Sequence, residues 1–206
     1  MQNKDHWEKV YSTKAPDSVS WFQQRADMSM RLVKASGLGR GAAIIDVGGG
    51  ASTLVDDLLD DGYTNVTVLD LSAAALAESR HRLGARSDRV TWVEADITRA
   101  IFAPHSIDLW HDRAVFHFLT TQADREAYVS QVLRALKPGG HVIMATFGSK
   151  GPTQCSGLPV MRYAPDELHA EFGDAFTMLA HEEQVHHTPA GAEQQFIYCM
   201  CRKHTT

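Results

Sequence analysis

The sequence predicts an α/β fold: an open, mostly parallel sheet with helices on both faces. Three observations predict it. Apolar, β-branched runs alternate with amphipathic stretches from Ala42 to Phe147. The first run, "AAIIDV", ends in a carboxylate and passes through three glycines into a helical pattern, "STLVDDLLDDG". Strand, helix and strand at this spacing require crossovers, which are right-handed and leave helices on both faces of the sheet.

Ahead of the first strand, "HWEKVYS" and "SVSWFQQRADMSMRLVKASG" carry helical spacing and the aromatic residues Trp7, Tyr11, Trp21 and Phe22. "AAIIDV" then reads as a buried strand, and the helix after it closes at Gly62. "NVTVLDL" is the second strand, followed by the helix "SAAALAESRHRLG" with Ser72 as N-cap and Gly84 past its end. "RVTWVEAD" is the third strand and "IDLWHDR" the fourth. "QADREAYVSQVLRALKPGG" is a long helix stopped by Pro138 and two glycines, and "HVIMATF" is the fifth strand. Beyond Phe147 the pattern changes. "GSKGPTQCSGLPVMRY" is a loop by composition and "APDELHAEF" a short helix. The strands "FTMLAHEEQVHH" and "EQQFIYCMCR", joined by the turn "TPAGA", are expected to close the sheet in a hairpin with an antiparallel edge strand.

The chain has 206 residues, 44% hydrophobic and 22% charged, as in one soluble globular domain with a sizeable core. No internal repeat, low-complexity tract or linker divides it. The net charge is −5 and the basic residues are scattered, so no nucleic-acid footprint is indicated. The opening "MQNKDHWEKVYS" lacks the apolar segment of a secretory signal. No window nears the roughly 18 apolar residues of a membrane span. An odd count of cysteines points to a reduced, cytoplasmic protein. Oligomeric state is not readable.

Ligands of open parallel sheets lie beyond the carboxyl ends of the strands, near the switch in strand order. Gly48, Gly49 and Gly50 turn the chain there. Glycine permits positive φ and close approach of backbone to a ligand, and the helix start adds free N–H groups. Asp70 closes the second strand 20 residues after Gly50, where a carboxylate accepts both ribose hydroxyls of an adenosine. Asp96 closes the third strand, in reach of an adenine amino group, with Ile97 flanking the ring. Each feature alone is an ordinary turn or cap; together they favour an adenosine site. A dinucleotide site would favour G-x-G-x-x-G, with the pyrophosphate on the helix N-terminus. Here the pattern is Asp46-x-Gly48-x-Gly50-x-Ser52. Its acid repels a pyrophosphate but suits the ammonium of an amino-acid moiety, which disfavours NAD.

With these residues the sequence resembles the class I S-adenosylmethionine-dependent methyltransferases, whose motif D/E-x-G-x-G-x-G it follows except at Ser52. "NVTVLDLS" and "VEADI" are similar to the family's second and third motifs. "SIDLWHDRAVFHFL" is similar to its fourth strand and turn, and "VLRALKPGGHVIMATF" to its helix and fifth strand. The resemblance implies a Rossmann-like, seven-stranded sheet, S-adenosyl-L-methionine as cofactor, S-adenosyl-L-homocysteine as product, and no metal. It places Asp46, Gly48, Gly49, Gly50 and Ser52 at the methionine end, Asp70 and Leu71 at the ribose, Asp96 and Ile97 at the adenine, and Asp112 near the sulfonium. "HWEKVYSTKAPDSVSWF" is similar to the lid of several small members. Trp7, Tyr11 and Trp21 are therefore lid candidates, Trp21 also against the cofactor, and aromatic faces suit a sulfonium. Residues 1–41 would be the lid, 42–147 the cofactor core and 148–206 a substrate loop and hairpin.

A sulfonium methyl is already activated, so the protein must align a nucleophile and exclude water. A base is needed only for a protonated nucleophile. Asp112 and Arg113 are expected to shape the mouth of the methyl site. His111 and His117 are candidate bases, because histidine titrates near neutral pH. The alternative is an Asp112–Arg113 ion pair with packed histidines. Arg162, in a long loop, could bind an anionic substrate or form a surface salt bridge. His186 and His187 point to opposite faces of a strand and make no zinc pair. Cys155, Cys199 and Cys201 do not follow the spacing of the arsenite methyltransferases, and buried strand cysteines are ordinary core residues.

The methyl acceptor is a small molecule, argued from chain size, or a protein side chain. The second follows from the similarity of "GPTQCSGLPVMRYAPDEL" and "HHTPAGAEQQFIYC" to small bacterial methyltransferases and mitochondrial citrate-synthase lysine methyltransferases. No N/D-P-P-[YFW] follows the fourth strand, which counts against amide or adenine N-methylation. A non-catalytic S-adenosylmethionine-binding module is the remaining alternative.

Overall fold

The computed structural model describes residues 4–205. Met1–Asn3, the start of the expected lid, and Thr206 lie outside the described residues. The cofactor core begins with β1 (Ala43–Val47), α3 (Leu54–Asp60), β2 (Asn65–Asp70), α4 (Ala73–Leu83) and β3 (Val90–Glu94). It continues through β4 (Ile107–Arg113), α5 (Gln122–Ala135) and β5 (Leu136–Phe147). Ahead of it stand α1 (Lys4–Thr13) and α2 (Asp27–Ala35). After it come the two-residue strands β6 (Gln154–Cys155) and β7 (Leu158–Pro159), then α6 (Pro165–Phe172), β8 (Phe176–His187) and β9 (Glu193–Lys203).

Seven strands form one sheet in the order β3-β2-β1-β4-β5-β9-β8. The pairs from β3 to β5 are parallel; β5–β9 and β8–β9 are antiparallel. The antiparallel strand is thus β9, one place in from the edge, and the edge strand β8 runs with the parallel set. The sheet is Rossmann-like, with β1 at its switch point: the chain winds outward through β2 and β3, then returns to β4 on the other side.

Two apolar layers cover the sheet. Leu32, Val33, Leu54, Leu58 and Leu76 of α2, α3 and α4 bury one face, and Tyr128, Val132, Leu168 and Phe172 of α5 and α6 bury the other. Each fully buried side chain of this kind contributes about 1.5–3 kcal/mol.

Two boundaries differ from the sequence reading. The helical pattern from Ser18 yields helix only over α2; Val19–Ala26 is an irregular strap. Core side chains hold its backbone. His186 Nε2 meets Ser20 O at 2.8 Å, Thr53 Oγ1 donates to Gln23 O at 3.1 Å, and Ala26 N donates to Asp57 Oδ2 at 2.8 Å. The second difference is at α5, which ends at Ala135, with Leu136 already extended at ψ 132°. Pro138 disfavours helix in the residue before it, and Lys137 is drawn to Asp108, its Nζ 2.8 Å from Oδ2. Asp108 Oδ2 also accepts from Ala43 N at 2.8 Å, tying the starts of β1 and β4 to the "KPGG" corner.

Gly140 packs into that corner. A Cβ there would lie 2.9 Å from Lys137 O and 3.1 Å from Asp108 O. Gly140→Ala is therefore expected to lower the unfolding free energy by about 1–3 kcal/mol. Urea unfolding followed by circular dichroism checks this, and an unchanged midpoint contradicts it.

Candidate functional site

The turn from β1 to α3 is anchored on β2: the N–H groups of Gly48 and Gly49 both donate to Leu69 O, at 2.7 and 3.2 Å. Gly48 has φ +69°, and a Cβ there would lie 2.0 Å from Val115 Cγ2. At the next two glycines the missing atom makes room for carboxylates. A Cβ on Gly49 would stand 2.3 Å from Asp46 Oδ2, and one on Gly50 would stand 2.6 Å from Asp70 Oδ2.

Asp46 pairs in register with His111 across β1 and β4, so the two side chains share a face. His111 Nδ1 donates to Asp46 Oδ1 at 2.7 Å, because a carboxylate can only accept, and Nε2 meets Ser29 Oγ at 2.9 Å. Asp46 Oδ2 is buried and has no hydrogen-bond partner. Asp70 accepts from Gly50 N at 3.0 Å and Ser72 N at 2.9 Å. Burial pushes its carboxyl up to about 6, those N–H groups oppose the rise, and the charge of Asp46 adds to it.

The two aspartates line two adjoining cavities, a first and a second lobe. The first lobe, about 650 Å³ with its mouth, is lined by Asp70, Leu71, Ala95, Ile97, Val115, Phe118, Cys155 and Trp7. The second, about 510 Å³, is lined by Asp46, Ser52, Thr53, His111, Phe22 and Gln23. Tyr11, Trp21, Gly48 and Arg113 belong to both lobes and mark their junction.

The expected lid residues lie over this junction. Trp21 Nε1 donates to Tyr11 Oη at 3.0 Å, and Trp7 packs edge-on against Trp21 and Phe118, with centroids 5.7 and 5.1 Å apart. Glu8 latches α1 to the core: its carboxylate accepts from Ala73 N at 2.6 Å and Ala74 N at 3.2 Å. A carboxylate at a helix N-terminus satisfies orphan donors and meets the positive end of the dipole. Lys4 pairs with Glu94 beside it.

Several expected site residues stand elsewhere. Successive strand residues face opposite sides, so His111 and Arg113 point toward the cavity side while Asp112 points away. Asp112 lines neither lobe; it is fully buried, accepting from Tyr128 Oη at 2.6 Å and Val115 N at 2.9 Å. Burial pushes its carboxyl up to about 6 against those hydrogen bonds. His117 is also fully buried, wedged against Phe118 and Phe147, and burial together with Arg113 lowers it to about 3. It lines neither lobe, and so low a pKa makes it a weak proton acceptor. His111 lines the second lobe, its two ring nitrogens engaged by Asp46 and Ser29. Asp96 caps its own turn through Thr98 N and Oγ1, at 2.9 and 2.7 Å, while its neighbours Ala95 and Ile97 line the cavity. Arg162 holds the loop, donating to Ser149 O and Gly151 O at 3.0 and 3.3 Å. Sequence reasoning missed Glu8, Ser29 and Cys155. In the sequence Cys155 reads only as a metalloid ligand or core residue, and the other two depend on long-range contacts.

Residues 44–140 match the family model of the methyltransferase domain. The eEF1A lysine and N-terminal methyltransferase of Bos taurus is 24% identical over 139 residues, 68% of this chain and 20% of that protein. The ubiquinone/menaquinone biosynthesis C-methyltransferase UbiE of Roseobacter denitrificans is 31% identical over 110 residues, 52% of this chain and 43% of that protein. This chain thus spans about a fifth of the eEF1A relative and less than half of UbiE. Among solved structures, one concerned with conversion of a disulfide bond into a thioacetal group during echinomycin biosynthesis superposes with TM-score 0.80 at 19% identity, covering 98% of this chain and 93% of that one. The Burkholderia thailandensis 1,6-didemethyltoxoflavin-N1-methyltransferase, solved with its substrate and S-adenosylhomocysteine, gives 0.69 at 19% identity, covering 98% and 87%. Residues 44–140 thus resemble the methyltransferase domain, and the chain has the fold of the S-adenosylmethionine-dependent methyltransferases. The site's chemistry fits that cofactor: Asp46, lining the second lobe, has a buried carboxylate oxygen without a partner, and a second carboxylate, Asp70, closes β2 beside an apolar lobe.

If Glu8 holds the lid over the cavity, Glu8→Ala is expected to weaken S-adenosylhomocysteine binding by about 2- to 10-fold with little change in the unfolding midpoint. Isothermal titration and urea unfolding read the two quantities. Unchanged affinity contradicts the latch.

Proposed function

We propose that this chain moves the methyl group of S-adenosylmethionine directly onto a small-molecule nucleophile in the cytoplasm. One observation carries the reading: Asp70 and Asp46 line two adjoining cavities that share Tyr11, Trp21, Gly48 and Arg113, with the glycine turn between the two acids. When bound, the cofactor supplies a sulfonium methyl already activated for displacement.

In this reading Asp46 Oδ2 accepts the ammonium of the methionine moiety, with His111 and Ser29 fixing the carboxylate, and Ser52 lines the same end. Asp70 accepts the ribose hydroxyls, and Leu71 and Ile97 flank the adenosine. Asp96, with one oxygen engaged by Thr98, keeps its other oxygen for the adenine amino group. Trp7, Tyr11 and Trp21 exclude water at the junction. Residues 1–41 act as lid, 42–147 hold the cofactor, and 148–206 close the acceptor side. Among the described residues no helix is long and apolar enough to cross a membrane.

A protein lysine acceptor is the second reading, favoured by the similarity to the eEF1A lysine and N-terminal methyltransferase. Labelled methyl transfer from S-adenosylmethionine into cell extract, separated by size, discriminates the two. Label confined to the small-molecule fraction is expected. Label in a protein band supports the lysine reading, and no transfer leaves a non-catalytic binding module.

Ribose hydroxyls donate to the ionised form of Asp70. With that carboxyl raised to about 6, binding favours proton release, so affinity is lost as pH falls. S-adenosylhomocysteine affinity should be level above about pH 7 and fall by up to about tenfold per pH unit below 6. Titration between about pH 5 and 8 checks this, and Asp70→Asn should flatten the curve. A level wild-type curve contradicts the role of Asp70.

A further inference from the structure

The guanidinium of Arg113 sits at the junction of the two lobes and is fixed by neutral groups alone. Nε donates to Tyr198 Oη at 3.0 Å, Nη1 donates to Trp21 O at 2.9 Å, and the carbon between them lies 4.5 Å over the Phe196 ring. Nη2 is buried and has no hydrogen-bond partner. Among the described residues Arg113 forms no ion pair with a carboxylate. Asp112, its neighbour in sequence, is turned to the other face and engaged by Tyr128. The expected Asp112–Arg113 pair is not formed.

An arginine cannot shed its charge, and a half-buried cation without a counter-ion is costly until an anion meets it. Two hydrogen bonds fix the side chain, yet one donor is left without a partner on a residue that lines both lobes. On the reading above, adenosine occupies one lobe and the methionine moiety the other, so the sulfonium joining them falls at this same junction. A second positive charge then faces the guanidinium. Asp46 does not relieve this, since it lies in the second lobe alone and one of its oxygens is taken by His111. The place between the two cations suits an anion, and an ammonium there would be a third cation.

We propose that the methyl acceptor is a small organic acid whose carboxylate is bound by Nη2 of Arg113. Its apolar body lies against Tyr11 and Trp21, which line both lobes where they adjoin. Guanidinium–carboxylate bonds are among the stronger hydrogen bonds and carry directional specificity. This assignment rests on the methyl-transfer reading and narrows it, moving the anion-binding role expected of Arg162 to Arg113.

The test uses phenylacetate and its neutral analogue phenylacetamide, each titrated calorimetrically into protein saturated with S-adenosylhomocysteine. The wild type is expected to bind the acid at least about tenfold more tightly than the amide. Arg113→Gln is expected to bring the two within about twofold, with S-adenosylhomocysteine affinity kept within about threefold. Equal affinity for the probes, or no measurable binding of the acid, overturns the proposal. A parallel loss of S-adenosylhomocysteine affinity in Arg113→Gln also overturns it, since Arg113 would then clamp the cofactor's own carboxylate. If the wild type fails to bind S-adenosylhomocysteine, the methyl-transfer reading fails first and the acid acceptor with it. Should the variant not fold, the wild-type comparison of acid and amide decides alone.

Discussion

Two carboxylates stand where the side chains of residues 49 and 50 would begin, and the site is arranged around that fact. Asp46 and Asp70 are 2% and 7% exposed. Burying a carboxylate is costly unless it is hydrogen-bonded, and the compensation is uneven. Asp70 receives two backbone N–H groups, whereas Asp46 has one oxygen satisfied by His111 and one without a partner. The glycines let the carboxylates reach these positions, β1–β4 register supplies the histidine, and the strand ends set the two acids on adjoining cavities. A side chain at residue 49 or 50 would displace the acid, not merely crowd a ligand.

Strand alternation then divides the end of β4 between two tasks. His111 and Arg113 face the cavity. Asp112, between them, faces the core and joins a buried chain in which Trp110 Nε1 donates to Tyr128 Oη at 2.8 Å and Tyr128 Oη donates to Asp112 at 2.6 Å. By accepting from Val115 N and Phe116 N, Asp112 holds the turn in which Ala114 takes φ +71°. That turn brings Val115 and Phe118 to the first lobe. Asp112 therefore shapes the first lobe through the backbone and lines neither lobe itself.

Much of this was legible in the sequence because it is local. The β4 and β8 segments were read to the residue, since apolar alternation and flanking turns set their bounds. The Asp-x-Gly-x-Gly pattern and Asp70 were legible because strand ends and a glycine turn must converge in a parallel sheet. Asp112 was misplaced although period-two alternation already set it opposite His111 and Arg113; resemblance outweighed the geometry. The strap at Val19–Ala26 was read as helix because its anchors, His186, Arg113, Thr53 and Asp57, are distant in sequence. The same distance hid Glu8 and Ser29. Arg113 could be named from the sequence, but its unpartnered nitrogen is a property of packing alone.

The most direct measurement is a crystal structure of the protein with S-adenosylhomocysteine. The account predicts the ammonium within hydrogen-bond distance of Asp46 Oδ2 and both ribose hydroxyls on Asp70, with Gly49 and Gly50 unmoved. A nucleoside seated elsewhere, with those carboxylates still untouched, would contradict it.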